Sequence, residues 1–104
     1  MPAGGDKAKI SGMEYTKVSG INKGHVRLYA LSTCIWCKKT RELLEQLGVE
    51  YEYIYADLLS EEEQDELLDE LEKYNPMTSF PTLVIDEKES VWGYKPQEVR
   101  KLLG

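Results

Sequence analysis

The sequence predicts a single α/β domain whose elements follow in the order β-α-β-α-β-β-α. Three observations predict it. Apolar residues alternate with period two over 25–31 and 49–55, and recur at helical spacing over 38–47, 60–74 and 95–103. At 104 residues the chain suits one modest core rather than two. Its only two cysteines stand together, as Cys34-Ile35-Trp36-Cys37, where the first strand pattern gives way to the first helix pattern.

Composition narrows the function classes. With 41% hydrophobic and 31% charged residues the chain is ordinary for a globular protein, and no apolar run approaches the roughly 20 residues that span a bilayer. The opening Met1-Pro2-Ala3-Gly4-Gly5-Asp6-Lys7 lacks the apolar stretch of a secretory leader, so a cytoplasmic protein without a membrane partner is expected. Net charge is -6, from 13 basic and 19 acidic residues, which argues against nucleic acid as a partner because phosphate binding needs clustered Lys and Arg. Residues 57–72 hold nine acids and no base, a pattern that fits a solvated helix face better than a docking surface.

Each element has its own signals. Residues 1–12 carry four glycine or proline residues before any periodicity, and an unstructured tail is expected there. The weak alternation of Met13, Tyr15 and Val18 fits either a short strand at a sheet edge over 13–21 or a surface segment, and residues 1–24 are therefore assigned to a flexible extension. Asn22-Lys23-Gly24 is a turn. Val26, Leu28 and Ala30 alternate with Arg27, Tyr29 and Leu31 in what reads as a central strand; His25, at its start, is assigned no catalytic role. In the first helix, expected over 38–47, Trp36, Thr40, Leu43, Leu44 and Leu47 share one stripe, and Gly48 follows as a left-handed cap.

Val49, Tyr51, Tyr53 and Tyr55 alternate with Glu50, Glu52 and Ile54 as a second strand, and its tyrosines suit sheet-face packing. Ser60 and Glu63 form a capping box ahead of Leu67, Leu68, Leu71 and Tyr74, and Asn75-Pro76 stops that helix. Thr82 to Asp86, a turn at Glu87-Lys88, and Glu89 to Trp92 make a hairpin. A last helix over 95–103 has Pro96 in its first turn and Val99, Leu102 and Leu103 facing inward.

The cysteine pair carries the chemistry. Two intervening residues at the start of a helix bring two sulfurs within disulfide reach while leaving the first one exposed. Cys34 also lies at the positive end of the helix dipole, where unpaired N–H groups favour a thiolate, the nucleophilic form. Lys38, Lys39 and Arg41 follow at once, although cations there disfavour the helix itself by some tenths of a kcal/mol each. That placement suits either stabilisation of the thiolate, by Lys38 and Arg41, or plain solvated charge. A tetrahedral zinc site needs four ligands, and only His25 would join the two sulfurs as a nitrogen or sulfur donor, so no metal is expected. A structural disulfide closing so short a loop would constrain the unfolded chain little. The reading is a redox pair.

Three motifs, at their spacing, give the chain a resemblance. Tyr29-Ala30-Leu31-Ser32-Thr33-Cys34-Ile35-Trp36-Cys37, then Thr78-Ser79-Phe80-Pro81-Thr82, then Trp92-Gly93-Tyr94-Lys95-Pro96 resemble the thioredoxin-like fold, and within it the glutaredoxins and NrdH-type redoxins. The resemblance covers about residues 25–103, and residues 25–104 are assigned to a glutaredoxin-like domain. It implies a four-stranded mixed sheet in the order 2-1-3-4, counting the 25–31 strand as the first. Three helices flank it, the first and third on one face and the second on the other. It also implies a cis Pro81 facing the sulfurs, with Trp36, Phe80, Gly93 and Tyr94 beside it as substrate-binding residues.

Departures bear on the electron donor. Glutaredoxins usually place Lys three residues before the first cysteine and Pro after it, where this chain has Leu31 and Ile35. Their glycine pair and following acids become Gly93-Tyr94-Lys95-Pro96-Gln97, which is more similar to the NrdH redoxins, although the glutamine those carry before the second cysteine is missing. The resemblance thus implies a monomeric dithiol-disulfide oxidoreductase and electron carrier that reduces protein disulfides. It would draw electrons from a thioredoxin-reductase-type donor or a low-molecular-weight thiol, with the Cys34–Cys37 disulfide as its redox centre and no other cofactor. Two alternatives stand beside it, a glutathione-dependent glutaredoxin and a dimer binding an iron-sulfur cluster through Cys34 of each chain.

Overall fold

The computed structural model describes residues 14–104. The elements are β1 (Thr16–Val18), β2 (Val26–Ala30), α1 (Ile35–Leu47), β3 (Tyr51–Tyr55), a 3-10 turn (Ala56–Leu58), α2 (Glu61–Glu72), β4 (Thr82–Ile85), β5 (Glu89–Trp92) and α3 (Pro96–Leu103). They build one mixed sheet in the order β1-β3-β2-β4-β5. The β2–β3 pair is parallel, as a helical crossover demands, and the others are antiparallel.

The β3-β2-β4-β5 portion has the expected order, but the sheet has five strands rather than four. The fifth is β1, which sets Thr16 opposite Tyr53 and Val18 opposite Tyr51. It covers the backbone edge that β3 would otherwise leave open. Thr16–Val18 is therefore part of the sheet, Ile21 adds an isolated bridge to Val49, and the expected tail over 1–12, with Met13, lies outside the described residues.

Alternation along β2 divides the core in two. Val26, Leu28 and Ala30 pack with Leu43, Leu44, Val99 and Leu103, so α1 and α3 cover one face. Tyr29 points the other way and meets Ile54, Val84 and the α2 residues Leu67 and Leu71. Covered on both faces, β2 is the structural floor beneath the cysteines. Leu44 and Leu67 are 0% exposed, so truncating either to Ala removes apolar contact and leaves a void, a loss of about 2–5 kcal/mol.

Helix ends follow their capping chemistry. α1 starts at Ile35, three residues before the expected Lys38, because Cys34 itself is the N-cap, with extended backbone and a sulfur that accepts the Cys37 N–H. Gly48 ends it at φ 71°, in the left-handed region open to glycine. Ser60 and Glu63 form the reciprocal capping box of α2. Some stripe-edge residues face outward instead of inward: Trp36 is 53% exposed, Leu68 38% and Leu102 39%. Helical spacing identifies a face about 100° wide, and these three lie on its margin. In the hairpin the turn falls one residue earlier than expected, on Asp86 and Glu87 at φ 55° and 57°, a type I′ geometry.

Candidate active site around Cys34 and Cys37

The end of β2 feeds a tight loop that presents the first cysteine. Cys34 N–H donates to Leu31 O at 3.3 Å, Leu31 N–H donates to Cys37 Sγ at 3.4 Å, and Cys37 N–H donates to Cys34 Sγ at 3.2 Å. Both sulfurs are free thiols; Cys34 is partly exposed and Cys37 is buried, at 1%. Burial pushes the Cys37 thiol up to about 12, helped by its hydrogen bond with the Cys34 sulfur. One sulfur thus receives a backbone N–H at the helix start and meets solvent, and the other is kept protonated inside.

A carboxylate missed by the sequence reading, which saw only an acidic run, braces this loop. Asp57 accepts the Ser32 N–H at 2.8 Å on one oxygen and the Ser32 hydroxyl on the other. The hydroxyl bond and then the N–H bond hold the Asp57 carboxyl below its ordinary value. Its negative charge adds to the forces that keep Cys37 a thiol.

Beside the cysteines runs a groove of about 250 Å³ lined by Trp36, Phe80, Pro81, Gly93 and Tyr94. Three distant segments supply it: the first turn of α1, the loop before β4 and the loop after β5. Trp36 and Tyr94 stack with ring centroids 5.8 Å apart and planes 24° from parallel. The Phe80–Pro81 bond is cis, and Gly93 N–H closes onto Pro81 O at 2.7 Å. Gly93 sits at φ 84°, where a side chain would be strained. Pro81 offers no N–H, so this wall is apolar and aromatic with few donors of its own.

Of the two cations expected near the thiolate, only one is free to serve it. Lys38 is exposed one turn along from Cys34, and its side chain forms no ion pair among the described residues. Arg41 is committed elsewhere. Its guanidinium donates to Tyr51 Oη at 3.1 Å, Tyr55 Oη at 2.8 Å and Glu45 at 3.2 Å, and lies 4.0 Å above the Tyr53 ring. The tyrosines of β3 provide a stacking surface and acceptors, and that outcompetes a half-exposed sulfur for the guanidinium.

The far end of the sheet holds a second, smaller depression of about 110 Å³ bordered by Lys17, His25 and Glu52, where His25 Nε2 lies 2.8 Å from the Glu52 carboxylate. It is remote from the cysteines, and His25 stays outside the site. Among the described residues no group of three or more His, Cys, Asp or Glu side chains is arranged to hold a metal, and no helix is long and apolar enough to cross a membrane.

Comparison with known proteins bears on the family and the fold. The Glutaredoxin family model matches residues 26–89. A glutaredoxin from Methanosarcina mazei Go1 is 44% identical, with 86% of this chain and 87% of that one covered and a TM-score of 0.80. The methanoredoxin of Methanosarcina acetivorans is 41% identical, with 90% and 98% covered and a TM-score of 0.82. An uncharacterised glutaredoxin-like 8.6 kDa protein in the rubredoxin operon of Clostridium pasteurianum is 29% identical over 79 residues, 75% of this chain and 96% of that protein.

Proposed function

This chain belongs to the glutaredoxin family of thiol-disulfide oxidoreductases, and from that premise we propose that it is a dithiol electron carrier that reduces disulfides in polypeptides. The observation that carries the reading is the asymmetry of the two sulfurs, one partly exposed at a helix N-terminus and one buried as a thiol. Cys34 thiolate attacks one sulfur of the substrate disulfide, forming a mixed disulfide and expelling the other sulfur as a thiolate that takes up a proton. Cys37 then gives up its proton and attacks the Cys34 sulfur. The second substrate sulfur leaves as a thiol, and the Cys34–Cys37 disulfide remains. Two electrons and two protons from an external dithiol or thiol restore the pair, and no other cofactor takes part.

The groove supports a polypeptide substrate over a charged tripeptide. Glutathione carries two carboxylates and an ammonium, and tight recognition of them wants a cation near the cysteine and acids for the ammonium. Leu31 stands at the first of these positions, and Pro96 and Gln97 at the second, which leaves only Lys38, Lys39 or Lys95 to hold a carboxylate and Glu98 to meet the ammonium from other positions. Losing charge-assisted contacts of about 1.5–3 kcal/mol each lowers efficiency by about tenfold or more. Reduction of the oxidised protein by glutathione with glutathione reductase, by a thioredoxin reductase with NADPH, and by dithiothreitol, side by side, tests this. Turnover is expected with the last two and little with the first; equal or faster turnover with glutathione would show that the site recognises the tripeptide.

A further inference from the structure

A buried polar cluster at the end of α2 has no part in the chemistry above. Asn75 is 0% exposed, yet all its side-chain atoms are bonded: Nδ2 donates to Ser79 Oγ at 3.0 Å and Thr82 Oγ1 at 2.9 Å, and Oδ1 accepts the Met77 N–H at 2.9 Å. Thr82, also 0% exposed, passes the chain on by donating its hydroxyl to Ser79 O at 2.7 Å. The Asn75 carbonyl accepts Thr78 N–H at 2.9 Å. One residue earlier, Tyr74 O accepts the Ser90 hydroxyl and the Trp92 indole N–H, both at 3.0 Å.

These bonds have a common destination. They tie the end of α2 to the 76–82 loop and to the end of β5, the two segments that carry Phe80, Pro81, Gly93 and Tyr94. Burying an amide and a hydroxyl costs about 1–3 kcal/mol each unless every polar atom is matched, so apolar residues would stabilise this corner with less demand on geometry. The loop also holds Thr78 at φ 46°, a left-handed conformation that a non-glycine residue keeps only when its surroundings enforce it. The Thr78 N–H donates to the Asn75 carbonyl, which ties that conformation to the cluster.

We propose that Asn75 and Thr82 are positioning residues that fix the Phe80–Pro81 wall of the groove, so that an extended polypeptide meets Cys34 with its disulfide already aligned. The proposal rests on the reading of this groove as the polypeptide-disulfide site. Misalignment of a reacting group by about 1 Å can lower rates by up to about a hundredfold, and part of that sensitivity should appear when the wall is loosened. A small disulfide that makes no use of the wall should be indifferent to it.

The test compares insulin with bis(hydroxyethyl) disulfide, each reduced by the protein under dithiothreitol. Thr82→Val, which keeps the shape and removes the hydroxyl, is expected to lower kcat for insulin about tenfold with KM within about twofold, and to leave the small disulfide's rate within about twofold. Thr82→Ser, which restores the hydroxyl, should return kcat toward the parent value. Ser79→Ala, on an exposed side chain, should shift kcat the same way by a smaller factor, and it carries the test should Thr82→Val not fold. Unchanged kcat for insulin, or a parallel fall with both disulfides, would overturn the proposal. A parent protein that reduces neither disulfide would instead overturn the underlying reading of the site, and the proposal with it.

Discussion

The two sulfurs differ less in chemistry than in where one turn of helix puts them. Cys34 as N-cap receives the Cys37 N–H, while Cys37 is 1% exposed and pushed up to about 12 from an ordinary value of 9.0. The sequence already contained this contrast, because a Cys-x-x-Cys at a strand-to-helix junction can expose only its first member. Asn75 was not legible in the same way. As Asn-Pro it signals a helix stop, and nothing local says that its side chain turns inward to find Thr82. The raised Cys37 value has two consequences. In a Cys34→Ser protein, alkylation of Cys37 by iodoacetamide at pH 7 should be at least about tenfold slower than that of a free cysteine and should keep rising above pH 9; a plateau by pH 9 would contradict the burial argument. Between about pH 9 and 12 the folded chain holds a proton that the unfolded chain has released, so unfolding free energy should fall as pH rises through that window, as urea titrations across it would register.

Elements were legible where their ends carry capping chemistry and less so where side chains reach between them. Gly48, the Ser60–Glu63 box and Pro96 marked helix boundaries because each satisfies or tolerates an orphan backbone group. Arg41 was expected to face the thiolate and instead bridges α1 to β3 through Tyr51 and Tyr55. Helical spacing gives the direction in which a side chain leaves, and a long guanidinium can still choose among partners on either side. Arg41→Met should therefore cost about 1–3 kcal/mol in urea unfolding while changing disulfide reduction by less than about twofold; a large loss of activity at full stability would return Arg41 to the redox site. The hairpin gives an opposite case. Glu87 occupies φ 57°, where glycine is free of Cβ crowding, and its ion pair with Arg27 is a long 3.8 Å contact with Glu87 60% exposed. Glu87→Gly should raise stability by about 0.5–1 kcal/mol, read from the same denaturation curves.

The molecule works as a sheet that gathers at one end what the chain scatters. The parallel β2–β3 pair, required by a helical crossover, sends both carboxyl ends the same way, and the loops before β4 and after β5 arrive beside Cys34 through antiparallel pairing. That order was legible from alternating periodicities and from the motifs together. The edge strand Thr16–Val18 was only one of two open readings, since three residues are too few for alternation to register. The groove was legible as a set of residues and not as a shape, because stacking of Trp36 on Tyr94 depends on the helix beginning at Ile35. All of this serves a cycle in which one sulfur attacks and the other resolves. The direct measurement incubates reduced Cys37→Ser and reduced Cys34→Ser proteins separately with a disulfide-bonded polypeptide and weighs the products by intact-mass spectrometry. A covalent adduct through Cys34 should accumulate in the first and be essentially absent from the second; equal or faster adduct formation through Cys37 in the Cys34→Ser protein would contradict the assignment of roles.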